Sequence, residues 1–152
     1  MSSPLKRHPA LQPLSREHHQ ILLLGFKLRQ GFRNNIDPKR MMNYCQWFFS
    51  SFLLPHLKKE ETFLVQCLGH TSELISSLRE NHKTVVKAFT NLNPSQSSLK
   101  ELEQVVISHV RYEERNLFGE VQELLSEEDL QFLNSNLDEL NFQDHLGDVF
   151  WR

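Results

Sequence analysis

Six residues of this chain could do chemistry together, and their spacing is what singles them out. Two pairs read His-x-x-x-Glu: His56 with Glu60, and His109 with Glu113. A separation of four residues places an imidazole and a carboxylate one turn apart on the same side of a helix. Two further histidines, His18 and His82, complete the set. Imidazole and carboxylate ligands together suit iron, manganese or zinc, and without a thiolate in the set there is no case for an iron–sulfur cluster. The chain carries eight histidines against two tyrosines, an unusual proportion that also directs attention to a metal.

The elements that must position these residues are helices, whose faces repeat at three and four residues. One stripe runs Leu14, His18, Ile21, Gly25, Leu28, Phe32; a second runs Cys45, Phe49, Phe52, His56, Glu60, Phe63, Cys67. A third runs Ile75, Leu78, His82, Val85, Phe89, Leu92, and a fourth Leu99, Leu102, Val106, His109, Glu113, Leu117. Each of four helices thus carries one histidine on its core stripe, and two add a glutamate one turn later. Buried glutamates are strongly disfavoured unless paired or metal-bound, so four imidazoles and two carboxylates converging on one interior call for a cation. Neighbouring candidates fail the same test. His19 shares a face with Arg29 and Arg33, while Glu61 and Glu114 point about 100° away from the stripes, toward solvent or a nearby Arg or Lys. His8, His70 and His145 fall in loops or tails.

Helix signals divide the chain accordingly. Ser15 is a candidate N-cap for a helix over about 16–32, and Asp37-Pro38 opens a second that runs to about Leu68. Pro55 lies inside this second helix and predicts a kink or local break. A third helix is expected over 72–92 and a fourth over 97–125. Ser126-Glu127-Glu128-Asp129 opens a short fifth helix to about Leu140. The remaining residues, with Phe142, Leu146, Phe150 and Trp151, read as a tail packed on the bundle. The expected fold is all-α: a single domain over 1–152, with an up-and-down four-helix bundle over about 14–125 and a C-terminal helix and tail over 126–152.

Composition is that of a globular chain, with 39% hydrophobic and 24% charged residues. A net charge of -2 indicates neither a nucleic-acid surface nor a membrane surface. No apolar run is long enough to cross a bilayer, and the N-terminus has no signal-peptide pattern. Cys45 and Cys67 form no disulfide framework and read as small buried hydrophobes. A reduced, cytoplasmic protein is the expectation.

The segments Leu14-Ser15-Arg16-Glu17-His18-His19, His56-Leu57-Lys58-Lys59-Glu60-Glu61, Asn81-His82 and His109-Val110-Arg111-Tyr112-Glu113-Glu114-Arg115-Asn116-Leu117-Phe118 resemble the hemerythrin-like, or HHE cation-binding, domain over about residues 14–125. That resemblance implies a four-helix bundle with two non-haem irons as cofactor. His18, His56, His82 and His109 would be terminal ligands, and Glu60 and Glu113 would bridge the metals. His18 and His56 would serve one iron, His82 and His109 the other. Oxygen-carrying members place a second histidine one turn after that of the third helix; here the position is Val86, which leaves a more open site. The implied partner is a small diatomic ligand, O2 or NO, or peroxide, to be bound or sensed, with iron handling as a further use. Two alternatives stand beside it: a di-iron oxidase or peroxidase, and a redox-silent module whose metal only stabilises the bundle.

Overall fold

In the computed structural model, which describes residues 6–152, five helices account for most of the chain. After a short 3-10 turn at Pro9–Leu11, helix α1 spans Gln12–Arg33. Helix α2 is built from α-helical Pro38–Phe48, a π-helical turn at Phe49–Leu53 and α-helical Leu54–Leu68. Helix α3 spans Glu73–Thr90. Helix α4 joins Gln96–Tyr112, a second π-helical turn at Glu113–Leu117, and Phe118–Leu124. Helix α5 is Glu127–Asn136. No strand occurs among the described residues.

Several local signals act as expected. The Asp37 side chain accepts the Lys39 N–H at the start of α2, and Ser126 accepts from Asp129 N–H at the start of α5, each satisfying an otherwise orphaned helix-end donor. Gly69, at φ 87, ends α2 in a conformation that side-chain-bearing residues avoid. Other signals are overruled. Ser15 is not a cap: α1 starts three residues earlier, with Pro13 in its first turn, and the Ser15 hydroxyl donates to Glu114 instead. Pro55, by contrast, brings the expected local break in the α-helical ladder, as a π-helical turn through which α2 continues. Its missing N–H is absorbed by widening the preceding turn, where the Leu54 N–H reaches back five residues to the Phe49 carbonyl, a π-helical solution to an interrupted ladder. Helix α5 stops at Asn136 rather than Leu140, so the tail begins earlier than expected.

Two apolar clusters fill the bundle, one at each end. The first gathers Ile21, Leu24, Leu28, Phe48, Phe52, Leu57, Val85, Phe89, Leu102 and Val106. The second gathers Leu14, Leu64, Ile75, Leu78, Leu117, Phe118 and Val121. Helix α1 passes from the second cluster to the first, α2 from first to second, α3 back again, and α4 from first to second. That alternation is an up-down-up-down bundle. On every helix the stripe histidine falls between the two clusters, so the polar residues form a layer across the middle.

The tail lies against α1 and α2. Phe150 is 1% exposed and belongs to the first cluster. It passes close to Gly31, where a Cβ would stand 3.1 Å from its ring and 2.5 Å from Met41 Cε, so a side chain there would have to displace the end of Met41. Leu146, expected to pack, is exposed. Cys45 is buried, whereas Cys67 is only partly so; Phe49, expected on the core stripe of α2, is partly buried against the first cluster. Gly25 has no such demand: a Cβ there would meet Ile107 at 3.6 Å and Arg29 at 3.5 Å, ordinary contacts. Gly25→Ala is therefore expected to raise the unfolding free energy by about 0.5–1 kcal/mol, through the lower chain entropy of alanine, read by urea unfolding.

A buried ammonium holds the tail. Lys27 Nζ donates to Tyr44 Oη at 2.8 Å and to Asp144 Oδ2 at 2.6 Å, and lies 4.3 Å from the Trp151 ring centroid. Tyr44 Oη also donates to Asp144 Oδ1 at 2.6 Å. Partial burial pushes the Asp144 carboxyl up, but the bonds from Lys27 and Tyr44 outweigh it and hold it below the usual value of 3.8. A carboxyl depressed on folding stabilises fully above its unfolded value, and that contribution is lost as pH falls through the folded one. Acid unfolding below about pH 4 is thus expected to include a component that Asp144→Asn removes, seen as a flatter dependence of melting temperature on pH in that window.

Candidate metal centre

The structure brings all six stripe residues together in the central layer. His56, Glu60 and Glu113 are fully buried, and His18, His82 and His109 are no more than 3% exposed. Ligand atoms of His18, His56, Glu60, His109 and Glu113 all lie within 4.8 Å of one another. His82 joins them through Nε2, 3.1 Å from Glu113 Oε2 and 3.2 Å from Glu60 Oε1. The Nε2 atoms of the other three also face the two carboxylates: His18 at 2.7 Å and His109 at 3.3 Å from Glu113 Oε1, and His56 at 3.1 Å from Glu60 Oε1. The histidines are not divided into two pairs here, since His109 sits as near the ring of His18 (5.6 Å) as that of His82 (5.5 Å).

Every histidine uses its other nitrogen outward. The Nδ1–H of His18 donates to Glu114 Oε2 (2.6 Å), that of His56 to Glu17 Oε1 (2.6 Å), that of His82 to Glu61 Oε2 (2.9 Å) and that of His109 to Asn81 Oδ1 (2.6 Å). A carboxylate or an amide oxygen can only accept, so each of these contacts places a proton on Nδ1 and turns Nε2 to the interior, where those of His18 and His82 are hydrogen-bonded to Glu113. Three of the four outer groups have their own cation: Arg7 at Glu114, Lys59 at Glu17 and Arg79 at Glu61. Outer partners of this kind orient metal-binding imidazoles and raise their donor strength.

Glu61 and Glu114 do meet an arginine, as their positions predict, but each turns its other oxygen to a histidine. Glu17 and Asn81 were not signalled by the His-x-x-x-Glu spacing. Glu17 could have been found, because Leu14, Glu17, Ile21, Leu24 and Leu28 repeat at three and four residues and make it a core position; it is 1% exposed. His19 is exposed, as expected. Of the remaining histidines, His8 caps the 3-10 turn, His70 bonds Arg79 and His145 lies against Trp47.

The second π-helical turn begins at Glu113 itself, and no proline announces it. The extra residue lets both Leu117 and Phe118 turn inward below Glu113. Phe118 then stacks on His18, with ring centroids 5.5 Å apart and planes 7° from parallel. Turns of this type often mark functional positions.

Charge in the layer is finely divided. Burial opposes protonation of His18 and His82, but their hydrogen bonds to Glu113, with the further bond to Glu114 at His18 and the nearby Glu60 carboxylate at His82, outweigh it and raise them to about 9 and about 10. His56 is likewise held well above its ordinary value despite complete burial, by Glu60, Glu113 and Glu17. His109, whose outer partner is a neutral amide, is pushed down to about 3 by burial, which Glu113 only partly offsets. Burial and the neighbouring Glu113 raise Glu60, whereas the surrounding histidines pull Glu113 well below the carboxylate range against its own burial.

Four buried polar atoms there have no hydrogen-bond partner: His56 Nε2, His109 Nε2 and both oxygens of Glu60. An unsatisfied buried donor or acceptor costs about 1–3 kcal/mol, so such a concentration in a native core needs a reason. A cation ligated by these atoms supplies one, and four imidazoles with two carboxylates fit iron, manganese or zinc. A groove of about 670 Å³ along α3 has His82 in its wall together with Glu61, Arg79, Lys83, Val86 and Lys87.

Fold and site together define a helical bundle with an internal His/Glu cluster able to hold metal. The chain belongs to the hemerythrin HHE cation binding domain family, whose family model matches residues 10–121. No curated protein and no solved structure gives a significant match. Among the described residues no helix is long and apolar enough to cross a membrane.

Proposed function

We propose that the chain binds two iron ions through His18, His56, Glu60, His82, His109 and Glu113, and uses them to bind or sense O2, NO or peroxide, or to handle iron. The observation that carries this reading is the set of unpartnered buried atoms on His56, His109 and Glu60, facing Glu113 in one layer. Glu60 and Glu113 would be shared between the two ions, a reading supported by each lying within 4 Å of more than one imidazole. The iron pair would supply electrons and open coordination positions for a small ligand; manganese and zinc are the substitutes the donor set admits. The chain's own part is to aim four Nε2 atoms inward, fix their tautomers from outside and keep bulk water from the layer. The groove beside His82 is the approach, and the small side chain of Val86 keeps it open. Two cysteines free of a disulfide support a cytoplasmic setting.

Elemental analysis with an optical spectrum of natively purified protein tests the reading. About two irons per chain with visible or near-ultraviolet charge-transfer absorption is expected for this donor set. One redox-silent metal per chain would replace it with a stabilising module, and His82→Ala that leaves the metal count unchanged would remove His82 from the centre. Val86→Trp should leave iron content intact while slowing the spectral response to nitric oxide by about tenfold or more, because an indole fills the groove wall next to His82.

A further inference from the structure

Glu17 touches two parts of the molecule at once. Its Oε1 accepts the His56 Nδ1–H at 2.6 Å, while Oε2 accepts the backbone N–H of Leu140 at 2.8 Å and is paired with Lys59. Lys59 also donates to the Asp138 carbonyl at 2.7 Å. One buried carboxylate therefore joins a histidine of α2 to the strap that follows α5. The rest of the strap is anchored elsewhere, through Asp144 on Lys27 and Tyr44, Asp148 on Arg40, and Phe150 in the core.

We propose, resting on the reading of His56 as a metal ligand, that Glu17 is a positioning residue which couples the docked strap to the metal centre. The Leu140 N–H and Lys59 hold one oxygen of Glu17, so the other is fixed where the His56 ring must present its Nδ1–H. That contact keeps Nε2 free and directed inward, and it strengthens Nε2 as a donor. The effect runs both ways. Electron withdrawal by a cation on Nε2 makes Nδ1–H a stronger hydrogen-bond donor to Glu17, and a Glu17 carboxylate held more firmly gives Leu140 a better-ordered acceptor. Coupling between two binding events is reciprocal by thermodynamic necessity. The strap therefore reports metal occupancy at the surface of the protein, and strap release weakens the hold on metal.

The test uses the full chain loaded with iron(II) or zinc(II). Leu140→Pro deletes the donor N–H and Leu140→Ala retains it. Loss of metal to a chelator should be about tenfold faster in Leu140→Pro than in wild type, the scale of an outer-partner loss, and close to wild type in Leu140→Ala. Hydrogen exchange at the Leu140 amide of the unaltered chain, which needs no variant to fold, should slow several-fold on metal loading. Equal metal loss from the two variants, or an amide indifferent to loading, overturns the coupling. A wild-type chain that takes up no metal overturns the functional reading as well, which separates the two failures.

Discussion

Glu60→Met will give a protein that is more stable than wild type without metal and less stable than wild type with it. Glu60 is fully buried with neither carboxylate oxygen hydrogen-bonded, beside a second buried carboxylate. Replacing such a group by an apolar side chain of similar length removes an unmet desolvation cost of about 1–3 kcal/mol. For a chain of this size that is a rise of several degrees in melting temperature, at about 2–4 °C per kcal/mol. His56, no longer facing Glu60, loses a charge partner and becomes neutral at lower pH, which a buried imidazole tolerates. With iron the order reverses. Wild type gains about 4 kcal/mol at a thousandfold excess over the dissociation constant, and the variant, lacking a shared ligand, gains little. Paired melting curves with and without iron decide it: a variant that melts below wild type in both conditions would show that Glu60 contributes to the fold on its own account.

Phe118→Ala should cost about 3–5 kcal/mol, the range for truncating a fully buried aromatic. Phe118 is completely buried, stacks on His18 and lies 5.1 Å below the Arg7 guanidinium. Its removal opens a cavity beside the metal layer and withdraws the surface against which the His18 ring is held. Phe118→Leu, which keeps most of the volume, should cost much less. Urea unfolding of the two variants measures the difference; a loss below about 1 kcal/mol for alanine would mean that the π-helical turn recloses around the gap, contrary to tight packing.

Much of this arrangement is legible in the amino-acid sequence. The inward placement of His18, His56, Glu60, His82, His109 and Glu113 follows from three- and four-residue spacing, because a helix has only one way to bring such positions onto a face. The up-and-down topology follows from short connections between long stripes. What is not legible there depends on contacts between helices. Glu17 and Asn81 stand next to histidines in sequence yet serve histidines of other helices, His56 and His109, and nothing local names those partners. Ser15 has the chemistry of a cap, but the turn at Pro9–Leu11 started the helix earlier and Glu114 claimed the hydroxyl. Pro55 announced a disturbance without specifying its form, and the π-helical turn at Glu113 had no such marker. At Ser15 a tertiary contact overrode a local preference.

The polar layer also governs how the chain can be divided. Both apolar clusters draw on α1, α2, α3 and α4, since every helix crosses from one to the other. No contiguous stretch of sequence owns a complete core. A cut in any of the three turns that join these helices leaves each fragment with parts of two half-built interiors, so neither piece is an autonomous folding unit, and the smallest cooperative unit is the four-helix assembly itself. Fragments would regain structure only by recombining, with the central layer as the register that tells the helices how far to slide.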